Sequence, residues 1–480
     1  MARAGGGGMT SERRLLVLDD DPTGSQCVAG VEVAFDTDPA IPAQVLAEAG
    51  STCFVLTNSR ALDEADAEAL NRRVVGGVVD LLADRGALAG LHVVSRSDST
   101  LRGHVIAEPT AVADALAEHG IEVDAFVFCP AMIEAGRFTK DDVHYATVDG
   151  VPTRVEDTDF AQDATFGYGR SNLREFLEER SDGAVRAEEC LSVSLADIRE
   201  GGVDRVTEVL RGARGRTWVV VNATDYADMD VVAEAMARLE AEGRVFVTRC
   251  GPSFVRSLAG QSGATVLGPE GIRTSGERAP HGVVVVGSHV GLTSRQLEVL
   301  QERGGGRGAS LTEFELQVPR LLDDDTRADH VRETVDGISA ALVSSDCVVY
   351  TSRDLVKTDS KQESLAIARR VSDAVVAVAR GIRGARPAWV VAKGGITSHE
   401  VAASGLEIRR ARVAGQFYAG QISMFTATDA PADVLGVPYV VFPGNVGGRE
   451  ALAEVVQRLR DAGGSDERTA PGHDTKEHRS

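Results

Sequence analysis

The sequence predicts an α/β protein of two domains, each with a largely parallel sheet, and a ligand cleft between them. Three observations carry that expectation. Short apolar runs, mostly rich in valine and apolar at successive positions, recur along the chain, as strands buried on both faces require. Helical periodicity fills the intervals between them. One stretch, 259–282, is rich in Gly, Ser, Thr and Pro, and it separates the runs into two series.

The first series is Leu15–Leu18, Cys53–Leu56, His92–Val94, Ala125–Phe128, Trp218–Val221 and Val245–Thr248. The second is Val283–Val286, Cys347–Tyr350, Trp389–Ala392 and Tyr439–Phe442. Between runs, Leu70, Val74, Val78 and Leu81 recur at helical spacing, as do Leu365, Ala368, Val371, Val375 and Val378. The expected organisation is a disordered glycine-rich leader over 1–13, a first domain over 14–258, a linker over 259–282, a second domain over 283–460 and a disordered polar tail over 461–480. No internal repeat relates the halves.

Across the 480 residues, 51 Lys and Arg face 72 Asp and Glu, a net charge of −21. Such a surface repels nucleic acid and anionic membranes, yet an arginine cluster reverses the field locally inside a cleft. Lysine occurs only five times, so arginine carries most of the positive charge. The six cysteines show no C-x-x-C pair and no metal-ligand spacing, which fits a reducing cytoplasm. No apolar run approaches the roughly 20 residues that span a bilayer. The start lacks the apolar core of a signal peptide.

In open α/β sheets ligands bind beyond the carboxyl ends of strands, so the chemistry is sought there. The first run leads into Asp19-Asp20-Asp21-Pro22-Thr23-Gly24, carboxylates that repel one another unless a cation or a substrate hydroxyl neutralises them. The second ends in Thr57-Asn58-Ser59-Arg60 and the third in Ser95-Arg96-Ser97-Asp98-Ser99-Thr100-Leu101-Arg102-Gly103. Arg96 and Arg102 suit a fork-shaped grip on a carboxylate, and Asp98 suits acceptance of a proton from a hydroxyl. The same segment also reads as a helix start capped by Ser97, Asp98 or Ser99. The fourth ends in Cys129-Pro130 through Gly136-Arg137, a shaped loop with one cation. Strand ends in the second half are glycine-rich instead: Gly287-Ser288-His289, Lys393-Gly394-Gly395-Ile396-Thr397-Ser398 and Pro443-Gly444-Asn445 through Gly448. Such turns admit phosphate oxygens to backbone N–H groups, with hydroxyls and Lys393 adding contacts, although tight packing alone also selects glycine. His104 and His144 lie near the suspect loops without an assigned role.

The chain has no G-x-x-x-x-G-K-[ST], no strand-borne G-x-G-x-x-G, no G-x-S-x-G and no H-E-x-x-H. It does resemble a known family. Asp20-Asp-Pro-Thr-Gly24, Thr57-Asn-Ser-Arg60, Asp98-Ser-Thr-Leu-Arg-Gly103 and Pro130-x-x-x-Glu-Ala-Gly-Arg137, with Gly394-Gly-Ile-Thr-Ser398 and Pro443-Gly-Asn-Val-Gly447, are similar to motifs of the four-carbon acid sugar kinases, in the same order. The resemblance spans roughly residues 14–460. It implies a sugar-acid-binding domain followed by a nucleotide-binding domain, and phosphorylation of a terminal hydroxyl on acids such as threonate, erythronate or a 3-oxo-tetronate, with ATP and Mg²⁺. By the same resemblance Asp21, Arg60, Asp98 and Arg102 contact the acid, and Ser288, Gly394 to Thr397 and Gly444 contact ATP. Ile396 stands where many members have an acid, and Ser95-Arg96 where many have a lysine-rich pair, so the particular substrate stays open.

The expected site is therefore Asp98 and Asp21 as catalytic carboxylates, with Asp20, Thr23, Gly24, Arg60, Arg96, Ser99, Thr100, Arg102, Gly103, Gly136 and Arg137 around the acid. Ser288, Lys393, Gly394, Gly395, Ile396, Thr397, Gly444 and Asn445 are expected around the nucleotide. Two other readings use the same residues: a sugar-acid dehydrogenase or lyase, and a two-lobed sensor without catalysis. The expected partners are the small acid and ATP, with neither nucleic acid nor membrane; a homo-oligomer stays open.

Overall fold

The computed structural model describes residues 13–21, 24–261, 263, 266–272, 276–304, 310–352 and 361–463. Residues 1–12 of the expected leader, 464–480 of the expected tail and Thr23 lie outside the described residues. The chain forms two units. One is drawn from residues 1–265 and Arg409–Ser423, the other from Val266–Ile408 and residues 424–480.

The first unit begins with β1 (Arg14–Asp19), β2 (Glu32–Ala34), β3 (Thr52–Leu56), β4 (Leu91–Arg96) and β5 (Ala125–Cys129). A small antiparallel sheet of β6 (Arg137–Lys140), β7 (Val143–Val148) and β8 (Val151–Arg154) follows, then β9 (Leu191–Val193), β10 (Thr217–Val221) and β11 (Phe246–Cys250). The main sheet runs β2-β3-β1-β4-β11-β5-β10-β9, and every one of these pairs is parallel. Residues throughout β3, β5 and β11 are buried, which explains why these strands read as unbroken apolar runs.

Helix Glu64–Asp84 packs on this sheet through Leu70, Val74, Val78 and Leu82. Leu81 is only half-buried, so the stripe continues one residue later than its spacing predicts. Asp63 caps the helix by accepting the Asp66 N–H at 3.1 Å. Phe128 at the centre of the core stacks on Phe176 at 6.2 Å and meets Trp218 edge-on at 6.1 Å.

The second unit opens with β12 (Val283–Val286), β13 (Leu311–Leu316), β14 (Asp346–Thr351) and β15 (Val390–Lys393). The chain then returns to the first unit as β16 (Arg410–Tyr418), which pairs antiparallel with β2, Ala411 opposite Val33. After β17 (Ile422–Asp429) and β18 (Pro438–Phe442), the order in the second unit is β13-β14-β12-β15-β18-β17. The pairs β13–β14, β14–β12, β12–β15 and β15–β18 are parallel. Helix Lys361–Gly381 buries Ala374, Val375, Val378 and Ala379, whereas Ala368 is exposed; the side chain of Leu365 is outside the described residues.

The α/β class with largely parallel sheets agrees with the sequence reading. The strands that reading omitted, β2, β6–β9, β13 and β16, are short, half-exposed or alternating, and β17 is mostly buried but interrupted by Ser423, Thr426 and Thr428, so none makes a continuous apolar run. Phe128→Ala is expected to cost about 3–5 kcal/mol, because both aromatic partners lose contact and the cavity cannot fully collapse; urea unfolding measures it, and a cost under ~1 kcal/mol would contradict the packing described.

Candidate functional site

In the first unit, β3, β1, β4, β11 and β5 are consecutive neighbours, so their carboxyl ends lie side by side. β1 is the inner strand between β3 and β4, and register sets Asp19 level with Arg96 and Leu56. Asp19 is fully buried, and water cannot solvate it. Arg96 from β4 donates through Nη1 to Asp19 Oδ1 at 2.8 Å and to Asp20 Oδ1 at 3.4 Å. Arg60, on the short turn after β3, donates to Asp20 Oδ1 at 2.6 Å and Oδ2 at 3.2 Å, and to Asp21 Oδ2 at 3.2 Å.

Gly24 lies against the Asp19 carboxylate, closely enough that any side chain there would strike it. Gly103 has φ +110°, and a Cβ on it would stand 2.9 Å from Asp20 Oδ2 and 3.2 Å from Arg249 Nη2. Only glycine satisfies both the conformation and the approach.

Arg249, at the end of β11, is the cation that the sequence reading missed. It is fully buried, donates to Ser95 Oγ at 2.7 Å and forms an ion pair with Glu108, which also accepts from Ser59. Its signal was present: Arg249 directly follows the run Val245–Thr248, a strand end of the same kind as the four considered. Glu108 gave no signal, because an acid in the first turn of helix Ala107–Glu118 reads as an ordinary partner of the helix dipole.

Asp98 accepts from Arg102 Nε at 2.7 Å and from the Thr100 hydroxyl. Burial works to raise its carboxyl, but Arg60 and Arg102 outweigh it and hold the group well below the usual carboxylate range. Asp19 behaves oppositely. Burial pushes it up to about 7, with Arg96 pulling against and Asp20 and Asp21 adding to the rise. Burial likewise raises Asp20 against the pull of Arg60.

Of these carboxylates, Asp98 and Asp21 are the ones with side chains open enough to meet a ligand, 14% and 31% exposed against 0% and 2% for Asp19 and Asp20. Ser99 turns its hydroxyl to Met132 Sδ at 3.7 Å. His144 holds the loop from behind, Nε2 on the Ser99 carbonyl at 2.8 Å and Nδ1 on Thr139 Oγ1 at 2.9 Å; burial lowers its pKa to about 4. Gly136 is left-handed at φ 67°. Arg137 follows it with its Cζ 5.6 Å from the Phe160 ring centroid, and Arg102 stands at 5.6 Å from the same ring.

In the second unit, Val286, Lys393 and Phe442 are level across β12, β15 and β18, which brings the glycine turns after those strands together. Gly394, at φ +124°, lies 3.0 Å by its missing Cβ from Thr397 Oγ1 and 3.1 Å from Ser288 Cβ; Gly287 also abuts Thr397, and Gly444 abuts Ser288 Oγ at 2.8 Å. Thr293, in helix Gly291–Gly304, ties two of the turns: its hydroxyl donates to the Gly444 carbonyl at 3.0 Å and its Oγ1 lies 3.2 Å from Ser288 Oγ. Ser398 folds back on the Ala392 and Gly394 carbonyls at 2.8 and 2.7 Å.

Lys393 does not extend over these turns. Its ammonium is fully buried, bonded to the Pro443 carbonyl at 2.6 Å and 3.9 Å from the Phe442 ring centroid, and burial lowers its pKa to about 7. Ile396, 73% exposed, and Val290, 48% exposed, are apolar groups beside the turns; Asn445 is exposed.

A family model for a sugar-binding N-terminal domain matches residues 15–258, and one for a nucleotide-binding C-terminal domain matches 283–452. Among solved structures, a Haemophilus influenzae protein of the DUF1537 family is 17% identical over 92% of this chain and 99% of its own, with a TM-score of 0.62. A Salmonella typhimurium LT2 protein provisionally named a tRNA synthase is 15% identical over 92% and 98%, with a TM-score of 0.68. At these identities the likeness shows the fold alone. No curated protein matches the chain.

Two outcomes follow from the buried charges. Glu108→Ala leaves Arg249 without its counter-ion and is expected to cost about 3–5 kcal/mol in urea unfolding; a neutral result would contradict the pairing. Asp19 keeps its proton in the folded chain up to about pH 7 but ionises near 3.8 when exposed, so its contribution to stability is lost as pH rises through that window. Asp19→Asn removes the loss, and its stability relative to wild type should climb between those pH values; a flat difference would mean Asp19 is ionised throughout.

Proposed function

This chain belongs to the four-carbon acid sugar kinase family, and we propose that it transfers the γ-phosphoryl group of ATP to a terminal hydroxyl of a short hydroxylated acid such as threonate, erythronate or a 3-oxo-tetronate. The observation that carries the reading is the pairing of two kinds of strand-end chemistry in one chain. The sugar-binding domain ends its strands in carboxylates and arginines, and the nucleotide-binding domain ends its strands in glycine turns with Ser288 and Thr397.

Phosphoryl transfer needs positioning and charge neutralisation rather than covalent catalysis. In this reading Asp98 accepts the hydrogen of the attacking hydroxyl. Its ion pair with Arg102 keeps it ionised and holds one oxygen still. Asp21, carried by Arg60, orients a second hydroxyl. The turns after β12, β15 and β18 receive the phosphates on backbone N–H groups, with the N-terminus of helix Gly291–Gly304 adding its dipole. Val290 and Ile396 offer apolar surface to the nucleoside.

Magnesium would ride on the phosphate oxygens, one or two carboxylates and water, its usual arrangement in kinases. Among the described residues no group of three His, Cys, Asp or Glu side chains forms a metal site of its own.

A coupled ADP-release assay over four-carbon acids tests the reading. Wild type should release ADP only with its acid present. Asp98→Asn should lower kcat by about 100-fold or more, while ADP still raises the melting temperature as in wild type. Turnover equal to wild type would remove Asp98 from the chemistry, and an enzyme that never consumes ATP with any acid would end the proposal. Gly394→Ala should abolish the thermal shift with ADP and leave the shift with the acid, since a side chain at φ +124° displaces Thr397 and Ser288.

A further inference from the structure

Arginines gather at the carboxyl edge of the first unit's sheet, and most of them already hold a carboxylate. Arg60 holds Asp20 and Asp21, Arg96 holds Asp19 and Asp20, Arg102 holds Asp98 and Arg249 holds Glu108. Arg137 differs. Among the described residues it has no anionic partner within ion-pair distance. Its Nε, like those of Arg96 and Arg249, is buried without a hydrogen bond, but the polar contact its Nη1 makes is to the Met132 thioether at 3.7 Å. A thioether is a weak acceptor and does not replace water around a guanidinium.

Two features show that this cation is placed rather than left over. Its backbone is pinned to Met132 in both directions, Arg137 N–H to Met132 O and Met132 N–H to Arg137 O, each at 3.0 Å, and Gly136 turns the chain into that position. Its guanidinium shares the Phe160 ring with Arg102, each Cζ 5.6 Å from the centroid. Phe160 sits in the short turn Asp159–Gln162, and the Asp163 carboxylate that follows is tied to the Thr165 and Phe166 N–H groups at 2.9 and 3.0 Å. The side chain of Asp163 stands 3.7 Å from Arg102 Nη1. Burial lowers the pKa of Arg137, and Arg102 adds to the effect against the pull of Asp98, as for a charge awaiting compensation.

We propose that Arg137, on the Phe160 platform beside Arg102, is the seat of the substrate's carboxylate, and that it makes the protein select acids over neutral polyols. This rests on the reading of the first unit as the acid-binding domain and refines it. Arg96 is closed to ligand by Asp19 and Asp20, and Arg102 enters as a neighbour already bound to Asp98. A short acid held by its carboxylate at Arg137 extends its hydroxyls towards Asp98, which is bound at 2.7 Å by the Arg102 that shares the Phe160 ring with Arg137. The strap around Phe160 and Asp163 then sets how far the carboxylate stands from the reacting end.

The test uses the full chain and two readouts. Calorimetric binding of threonate and erythronate without nucleotide is compared with the polyols threitol and erythritol, and KM and kcat come from the ADP-release assay. Arg137→Gln should weaken acid binding and raise KM by roughly 30-fold, the loss of a forked charge-assisted pair. Its kcat should fall far less, and the weak polyol binding should not change. Arg137→Lys keeps the charge without the fork and should weaken acid binding by roughly 5-fold, which keeps the test open if the glutamine variant misfolds. Acid binding equal to wild type in either folded variant overturns the assignment, as does equal weakening of acid and polyol. If wild type binds acids through Arg137 but releases no ADP, the kinase reading fails and the carboxylate seat stands. If ADP is released and KM is indifferent to Arg137, the seat falls and the kinase reading stands. A wild type that binds no acid overturns both.

Discussion

A carboxylate at the end of an innermost strand has no water around it, and the first unit is organised about that difficulty. Asp19 ends β1 with strands on both sides and no exposed surface. An isolated ion there would cost several kcal/mol, so either it keeps its proton or a cation comes to it. Both happen: Arg96 is delivered by register from the neighbouring strand, and burial still raises the carboxyl. Asp20 repeats the problem and takes Arg60, and Glu108 and Arg249 solve it beside them. The glycines at 24 and 103 are consequences, since these charges leave no room for a side chain. Once the buried charges have paired with one another, the side chains of Asp98 and Asp21 remain the more open carboxylates of the set.

The second unit meets a different constraint with different residues. Its three central strands end level, and its turns pack so tightly that Gly287, Gly394 and Gly444 touch Thr397 and Ser288. Positive charge there is directed inward. Lys393 joins β15 to the loop after β18 through a buried bond to the Pro443 carbonyl. Glycine turns of this kind, with backbone N–H groups and a helix terminus beside them, are suited to phosphate, in keeping with the match to a nucleotide-binding domain.

Much of this was legible in the sequence because parallel strands place consecutive chain segments at one edge. Asp19–Gly24, Thr57–Arg60, Ser95–Gly103 and Cys129–Arg137 follow four apolar runs, and the edge brings them together. What was not legible depends on long-range contact. Arg249 and Glu108 are 141 positions apart and each looks ordinary alone. Phe160 lies in a polar connection that reads as a loop, yet it supports two arginines. β16 joins the first unit from a position after most of the second, and its alternating burial hides it from a search for apolar runs. Residue type announced that Arg96 and Arg102 suit a carboxylate, but only distance shows that Arg96 binds Asp19 and that Arg102 binds Asp98.

The central claim is that the buried acids and arginines of the first unit form one mutually dependent set, and a double-mutant cycle on Asp19 and Arg96 tests it most directly. Urea unfolding of Asp19→Asn, Arg96→Met and the double variant at one pH gives the coupling energy. The account predicts that the double variant loses less than the two single changes together, by about 1–3 kcal/mol. Additivity within ~0.3 kcal/mol would show that the two groups do not depend on each other, and would contradict it.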